Sequence, residues 1–426
     1  MSGNGKAGRI LVIGGGISGI TASIEAAEAG CEVVLVEKNP YLGGRVVRTN
    51  QYFPKLCPPS CGLEINFRRM RTNPRIRCLT LSTVEQISGG PGRYQATIRR
   101  EPRRVNNRCT ACGECVAACP VQRPDEFNLG LSQTTAIYLP FEMAYPVQYV
   151  IDPSVCPGSE CGKCVPACPY DAIELEMQPE TIDVEVQAVI WATGWEPYDA
   201  GKIDGLGFGT YPNVISNVMM ERFASKNGPT GGKIQRPSDG QEIETVAFVQ
   251  CAGSRDENHQ THCSGVCCMG SLKQARYVRA QYPDAQIFIF YIDIRAPGRL
   301  EDFYAEMQQD EKLQLIKGKV AKITEDAASA DLEVEAEDTL SGERVRQKVN
   351  LVVLATGVVP SAADVRIDLD GDLRRDEHGF LTGDQPLAGM LGAGCAKRPV
   401  DVAASVRDAT GAALQALQCC TEHISG

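Results

Sequence analysis

Two short cysteine runs constrain this chain more than any other feature. Residues 109–120 read C-x2-C-x2-C-x3-C-P and residues 156–169 read C-x4-C-x2-C-x3-C-P, so each run ends in Cys-Pro. The chain has 19 cysteines and only four histidines, and its N-terminus shows no signal-peptide pattern. Because the cytosol keeps thiols reduced, we expect metal-bound thiolates here rather than a disulfide framework. Clustered thiolates without histidine favour zinc or iron–sulfur clusters.

The spacing of both runs resembles that of bacterial two-cluster ferredoxins, in which the fourth cysteine of each run ligates the other cluster. This spacing predicts two 4Fe–4S clusters with exchanged ligands. The first set is Cys109, Cys112, Cys115 and Cys168, and the second is Cys156, Cys161, Cys164 and Cys119. Zinc is the alternative, although paired runs ending in Cys-Pro are poor zinc geometry. The small residues between the ligands should let backbone N–H groups turn toward the sulfurs.

The N-terminal residues predict a dinucleotide site. Residues 9–13 are an apolar run typical of a buried parallel strand, and the sequence from Gly14 through Gly16 to Gly19 fits G-x-G-x-x-G. A helical segment and a second strand follow, and that strand ends at Glu37. The glycines allow a tight turn, close approach of a pyrophosphate and close packing of helix on strand, while Glu37 can accept hydrogen bonds from ribose hydroxyls.

The continuation of this motif resembles the flavoproteins with two dinucleotide domains, the glutathione and thioredoxin reductase group. Gly-Gly follows the terminal acid, residues 188–195 and 351–360 look like the segments that cross between domains, and residues 389–417 resemble the closing segment. The resemblance implies FAD and an α/β fold. It implies FAD contacts at Gly43, Gly44, Arg45, Thr193, Gly194, Gly394 and Cys395. Cys395 stands where that group usually has an aspartate.

A third cysteine group occupies the place of a nicotinamide-binding turn. The predicted strand 245–249 leads into Cys251, Cys263, Cys267 and Cys268 instead of a glycine motif. These four thiols predict a third 4Fe–4S cluster and argue against NAD(P)H binding. The alternatives are a redox disulfide, free buried thiols, or His259 or His262 as a substitute ligand.

This third group and the segment between the first two runs resemble the A-subunit family of heterodisulfide reductases. The resemblance covers residues 9–418, and residues 52–76 look most like the A subunit of quinone-interacting membrane-bound oxidoreductases. It implies an oxidoreductase subunit that carries electrons between menaquinol and adenylylsulfate reductase in sulfate respiration. The implied partners are a second flavin and iron–sulfur subunit, a membrane haem subunit that reacts with quinone, and adenylylsulfate reductase itself. The implied location is cytoplasmic, peripheral to the inner face of the membrane.

Other functions stay open at this level. They are an electron-bifurcating subunit of heterodisulfide reductase type, an electron-transfer scaffold without its own substrate chemistry, and an NAD(P)H-dependent disulfide reductase. The net charge of −10 argues against nucleic-acid binding. No apolar run approaches the roughly 20 residues that span a bilayer.

The expected architecture is a thioredoxin and glutathione reductase-like flavoprotein with an inserted two-cluster ferredoxin domain. The expected segments are the first part of the FAD domain (1–102), the ferredoxin-like insert (103–178), the continuation of the FAD domain (179–240), a second Rossmann-like domain (241–355) and the closing segment (356–426). Cys57 and Cys61, which flank Pro-Pro-Ser near the expected flavin, are a candidate redox pair or the edge of a cluster shared with a partner.

Overall fold

Two five-stranded parallel sheets organise the chain. A computed structural model describes residues 8–53, 55–361, 365–368 and 372–422. The outer ends of the first and last predicted segments, 1–7 and 423–426, lie outside the described residues, as do 362–364 and 369–371. The helices of the described part are α1 (Ile17–Glu28), α2 (Ser60–Thr72), α3 (Glu114–Ala117), α4 (Cys164–Ala167), α5 (Asn217–Ala224), α6 (Cys267–Gln281), α7 (Leu300–Met307) and α8 (Val402–Glu422).

The first parallel sheet is built from short apolar strands. Leu11 at its centre pairs with Val34 on one side and Val189 on the other, and all three side chains are buried. Strands covered on both faces read as continuous apolar runs, which is the pattern that RILVI shows. The strand order is Met390–Gly392, Ala188–Trp191, Arg9–Ile13, Glu32–Val36, Ile76–Leu79.

Helices α1, α2 and α8 cover one face of this sheet. Alanines of α8, including Ala409 and Ala413, are fully buried in one core with Ile20 and Ile24 of α1. Small side chains at helical spacing present a narrow apolar stripe, so the closing helix packs close to α1. The sequence predicts a helix that starts near Val400, and α8 begins two residues later, at Val402.

A mixed sheet covers the other face; its first three strands pair antiparallel and Arg366–Asp368 joins the edge in parallel. Its core includes Tyr94, Ile98 and Val184, which pack on Leu11 and Val189 of the parallel sheet. The strand order is Glu180–Val186, Arg93–Arg100, Ser82–Gly90, Arg366–Asp368.

The second parallel sheet begins earlier in the chain than the expected boundary at residue 241. Its edge strand Val214–Ser216 pairs with Leu351–Thr356, and α5 follows directly, so these residues pack with the second sheet rather than with the first domain. The strand order is Val214–Ser216, Leu351–Thr356, Thr245–Ala252, Gln286–Tyr291, Leu313–Lys317. One face carries α5, α6 and α7, and the other faces the antiparallel strands Val320–Glu325, Leu332–Asp338 and Glu343–Val349.

Residues 103–178 form an insert with a small core of its own. Val105 bridges to Ile173, and the backbone N–H of Asn106 donates to the carbonyl of Ala172 at 2.8 Å, so the two ends of the insert meet. The flanking strands therefore still pair, with Arg100 opposite Glu180. Two short hairpins complete the insert, Gln122–Pro124 with Gln133–Thr135 and Ile137–Tyr138 with Val150–Ile151.

The linking segment between the two cysteine runs packs against the first domain. Phe141 meets Tyr41 edge to face with ring centroids 5.4 Å apart, and Tyr145 stacks on Phe67 of α2 at 5.3 Å. These aromatic contacts fix the insert to the surface beside α2. No helix in the described part of the chain has the length and apolar character needed to cross a membrane.

Candidate functional site

The glycine turn after the first strand leaves one side open. A Cβ on Gly14 would overlap the carbonyl oxygen of Ala192, and one on Gly19 would overlap that of Gly14, so neither position admits a side chain. A Cβ on Gly16 would meet the Gly44 Cα at an ordinary 3.9 Å. The open side lies at the N-terminus of α1, where backbone N–H groups attract the phosphates of a dinucleotide.

Glu37 lies at the end of the second strand, where the motif requires an acid. Its carboxylate is buried and accepts from the backbone N–H of Gly15 at 2.6 Å and from that of Asn39 at 2.7 Å. Burial raises its pKa, and these hydrogen bonds oppose the shift. In this structure the carboxylate braces the glycine turn, in addition to the ribose contact that the sequence predicts.

Gly43, Gly44 and Arg45 lie beside this turn. The N–H of Gly43 donates to the carbonyl of Gly15 at 2.8 Å, and Gly44 has a left-handed φ of 56° that brings it against Gly16. Arg45 donates from Nε to the carbonyl of Trp195 at 2.7 Å and forms an ion pair with Glu196. Burial lowers the pKa of Arg45 to about 10. The Gly-Gly turn is thus tied to the segment that leaves the first sheet.

Thr193 and Gly194 follow the strand Ala188–Trp191 and begin the crossing between the two sheets. Gly194 has a φ of 74°, and its carbonyl accepts from the N–H of Ser361 at 3.1 Å. Strands Trp195–Pro197 and Val358–Pro360 then pair antiparallel, so the two predicted crossing segments run side by side.

Gly394 and Cys395 lie in a short turn before α8. The N–H of Gly394 donates to Oδ2 of Asp408 at 2.7 Å, and Lys397 pairs with the same carboxylate at 2.9 Å. The buried Cys395 thiol donates to the carbonyl of Val400 at 3.4 Å. Sequence reasoning missed Asp408, because nothing in a helical run indicates that one carboxylate reaches back 14 residues to a turn.

A cavity of about 310 Å³ lies between the first residue of α1, the first turns of α2 and the first turns of α8. Ile17 of α1 and Val46 line it on the side of the dinucleotide residues, and Val402 and Val406 line it from the first turns of α8. Tyr52, Lys55, Pro59, Gly62, Leu63, Asn66 and Ala403 complete the lining. Apolar walls close to a glycine turn suit a flat aromatic ring system, and a helix N-terminus favours negative charge on it.

The first predicted cysteine set is brought together, with its fourth member from the other run. Burial, together with the neighbouring Cys109, Cys112 and Cys168, raises the pKa of the Cys115 thiol to about 12. The Cys168 sulfur accepts from the backbone N–H of Ala172 at 3.4 Å. The raised pKa of Cys115, which lies close to three other thiols, favours a bound group that supplies positive charge.

The second predicted set surrounds a small cavity of about 20 Å³, lined by Cys119, Cys156, Cys161 and Cys164. Burial and the nearby Cys156, Cys119 and Cys161 raise the pKa of the Cys164 thiol. The backbone N–H of Gly158 donates to the Cys156 sulfur at 3.4 Å. Each insert set therefore has a backbone N–H···S hydrogen bond; Gly158 lies between two ligands, as the sequence predicts, whereas Ala172 follows the last ligand of its run.

The third set lies at the N-terminus of α6, beside the second sheet. Burial raises the pKa of Cys251 to about 11, with Cys268 and Cys263 adding to the shift, and the pKa of Cys267 is raised by burial and the same neighbours. The N–H of Gly265 donates to the Cys263 sulfur at 3.3 Å. The two candidate substitute ligands have other contacts: His259 Nδ1 lies 2.9 Å from the Tyr198 hydroxyl, and His262 Nε2 lies 3.1 Å from the Val358 carbonyl.

The spacing of these sulfurs differs from that of a single-ion site. Within the residues described, no three His, Cys, Asp or Glu side chains converge tightly enough to hold one metal ion. Zinc at about 2.3 Å from each thiolate needs such convergence. A 4Fe–4S cluster is larger than one ion and holds its four thiolates farther apart.

A buried polar network joins the two domains, and sequence reasoning missed it. Lys273 of α6 pairs with Glu221 of α5 at 3.0 Å, and both side chains are less than a tenth exposed. Lys273 also donates to the carbonyl of Gln51 at 2.5 Å, while Glu221 accepts from the N–H of Asn50 at 3.0 Å. The helix that begins with Cys267 and Cys268 is thus fixed to the segment that precedes the Tyr52 wall of the cavity.

The glycine turn and the surrounding fold are similar to those of FAD-dependent oxidoreductases. The family model described as FAD dependent oxidoreductase matches residues 9–64. The thioredoxin reductase of T. acidophilum aligns over 97 % of this chain and 98 % of its own, with a TM-score of 0.54 and 13 % identity, which supports the fold. The predicted reductase-like α/β fold is therefore confirmed.

Relatives in sequence give a more specific similarity than the fold does. The second iron–sulfur A subunit of the CoB–CoM heterodisulfide reductase of Methanopyrus kandleri is 39 % identical over 421 residues, 96 % of this chain and 64 % of the relative. The A subunit of the ferredoxin:CoB–CoM heterodisulfide reductase of Methanosarcina mazei is 38 % identical over 425 residues, 97 % of this chain and 53 % of the relative. This chain is a homologue of the heterodisulfide reductase A subunits, as its sequence predicts. It spans between half and two thirds of the length of these relatives.

Proposed function

We propose that this chain is the FAD and iron–sulfur electron-transfer subunit of a multi-subunit oxidoreductase. The observation that carries the proposal is the proximity of twelve cysteines in three sets of four, two of which combine cysteines from both runs. In each set burial raises the pKa of at least one thiol, and a bound iron–sulfur cluster would offset this by taking up the thiolates.

The residues of the first domain fit FAD. Gly16 presents an open face to a pyrophosphate, Glu37 stands at the ribose position, and the cavity lined by Ile17 and Val402 suits the ring system. When bound, FAD supplies a centre that exchanges electrons in pairs or singly. The α8 N-terminus then stabilises negative charge near Val402, and the apolar walls restrict water.

Three 4Fe–4S clusters complete the proposed carrier set. Two belong to the insert, which we propose to be a ferredoxin-like domain, and the third belongs to the second domain. That domain has Cys251 near the end of its strand Thr245–Ala252, where a nicotinamide site needs a glycine turn. We therefore expect no direct reduction by NADH or NADPH.

The finer assignment concerns the partners. We propose that the complex exchanges electrons between menaquinol and adenylylsulfate reductase through a second flavin and iron–sulfur subunit and a membrane haem subunit. This would hold the chain at the inner face of the membrane. The sequence of residues 52–76 supports this assignment. The second candidate is a subunit of heterodisulfide reductase type, which the names of both relatives favour.

Anaerobic purification tests the proposal. The protein should hold one FAD and about twelve iron atoms with equal acid-labile sulfide. Neither NADH nor NADPH should bleach the flavin absorbance, whereas dithionite should. Stoichiometric zinc with little iron would contradict the proposal, and copurification with a haem subunit would separate the first partner assignment from the second.

A further inference from the structure

Two of the 19 cysteines remain without a place in a set or in the protein interior. Twelve belong to the three sets, and the others that are buried or pack on a core are Cys31, Cys78, Cys395, Cys419 and Cys420. Cys57 is half-buried and Cys61 is exposed. Packing therefore does not account for these two thiols.

Cys57 lies just before α2 and Cys61 is the second residue of that helix, next to residues that line the 310 Å³ cavity. Cys57 accepts from the N–H of Tyr52 at 3.2 Å through its carbonyl, and the N–H of Cys61 donates to the carbonyl of Pro58 at 3.2 Å. Pro59, between the two cysteines, and Gly62, next to Cys61, line the cavity directly. The segment 57–61 thus places one thiol at each end, beside the space that we assign to the flavin ring.

Tyr52 connects the two thiols. The nearby Cys57 sulfur is the main reason that the pKa of the Tyr52 hydroxyl rises to about 12, with burial next, and the Cys61 sulfur adds to the rise. A Cβ on Gly62 would lie 3.7 Å from this hydroxyl, so the phenol group lies against the first turn of α2, next to Cys61.

We propose that Cys57 and Cys61 form a redox-active dithiol–disulfide couple that reduces an external disulfide at the mouth of the cavity; this inference rests on the proposed FAD site. Cys61, the exposed thiol, is the group that exchanges with the substrate. Cys57, held by Tyr52, is the thiol that resolves the exchange.

The chemistry balances in three steps. Two electrons, which a bound reduced flavin would supply, together with two protons would break the Cys57–Cys61 bond and leave two thiols. The Cys61 thiolate then attacks the external disulfide, which forms a mixed disulfide and releases the first substrate thiol. Cys57 attacks the Cys61 sulfur, which releases the second substrate thiol and restores the internal disulfide.

Trapping in glutathione redox buffers tests the couple on the full chain. Anaerobic protein is equilibrated at graded ratios of reduced to oxidised glutathione, quenched with acid, alkylated and examined by peptide mass spectrometry. Wild type and the control S60A, altered in the same turn, should convert from disulfide to dithiol over one transition. C57S should accumulate a mixed disulfide of glutathione on Cys61, while C61S should accumulate much less on Cys57. Y52F should shift the midpoint ratio by about fivefold, the effect of one hydrogen bond.

Two results would overturn the inference. One is full alkylation of both thiols at every ratio. The other is a loss of about four iron atoms in C57S or C61S, which would make them cluster ligands. The same samples report FAD and iron, and trapping does not need the flavin. Absent FAD therefore counts against the proposed function, whereas full FAD and iron with thiols that never pair counts against the couple alone.

Discussion

Paired serine substitutions test whether the two cysteine runs of the insert exchange ligands. Cys168 belongs to the second run, yet it helps to raise the pKa of Cys115 in the first. Cys119 belongs to the first run, yet it lines the small cavity with Cys156 and the rest of the second set. We therefore expect C168S to remove the cluster of the first run and C119S to remove that of the second.

The iron count gives the magnitude. Three clusters hold about twelve iron atoms, so each single substitution should leave about eight per chain. C109S/C168S should also leave about eight, because both residues serve one cluster, whereas C109S/C119S should leave about four. Iron and acid-labile sulfide are measured on anaerobic protein, and FAD content reports that each variant is folded. The opposite pattern, about four for C109S/C168S and about eight for C109S/C119S, would show that each run holds its own cluster.

Three further predictions follow from packing and charge. G19A should release FAD and lower the free energy of unfolding by about 1–3 kcal/mol, because the new Cβ would overlap a backbone oxygen. The control G411A, where a Cβ on α8 would meet open space, should leave the free energy of unfolding unchanged or raise it. Flavin release and urea unfolding are measured for both variants. K273M should lower the free energy of unfolding by about 3 kcal/mol, because it leaves the buried Glu221 carboxylate without its cation. The double variant K273M/E221Q should recover part of this loss in the same urea unfolding assay. Burial raises the pKa of Glu37 in the folded protein. The contribution of Glu37 to stability is therefore fully present below its pKa in the unfolded chain and is lost as the pH rises through its pKa in the folded protein. E37Q should flatten that part of the plot of unfolding free energy against pH, and an unchanged slope would contradict the prediction.

Local sequence rules predicted the parts of the site that depend on neighbouring residues. Gly14, Gly16 and Gly19 could be placed because a strand-to-helix turn around a pyrophosphate needs glycines at fixed spacing. The exchange of Cys119 and Cys168 could be proposed because paired runs with this spacing place the fourth cysteine of each run on the other cluster. In both cases the constraint lies in the pattern itself.

Contacts between residues far apart in the chain were not predicted, because no local sequence pattern encodes them. Lys273 meets Gln51 across 222 positions, and no periodicity in either segment indicates the other. The edge strand Val214–Ser216 is only three residues long, too short for an alternation to mark it, so the start of the second sheet was expected too late. Asp408 was missed because helical spacing explains it equally well as a surface acid.

Because Cys168 lies far along the chain from the other three members of its set, the four thiols of that set are not synthesised together. Cys109, Cys112 and Cys115 leave the ribosome about 50 residues before the fourth member of their set. At ordinary elongation rates this delay lasts roughly 3–10 s. During that interval the nascent chain offers a three-thiol pocket to any thiophilic ion, zinc included. Delivery of a finished cluster is therefore best timed to the emergence of the second run, and a slow stretch of translation after residue 168 would favour correct loading.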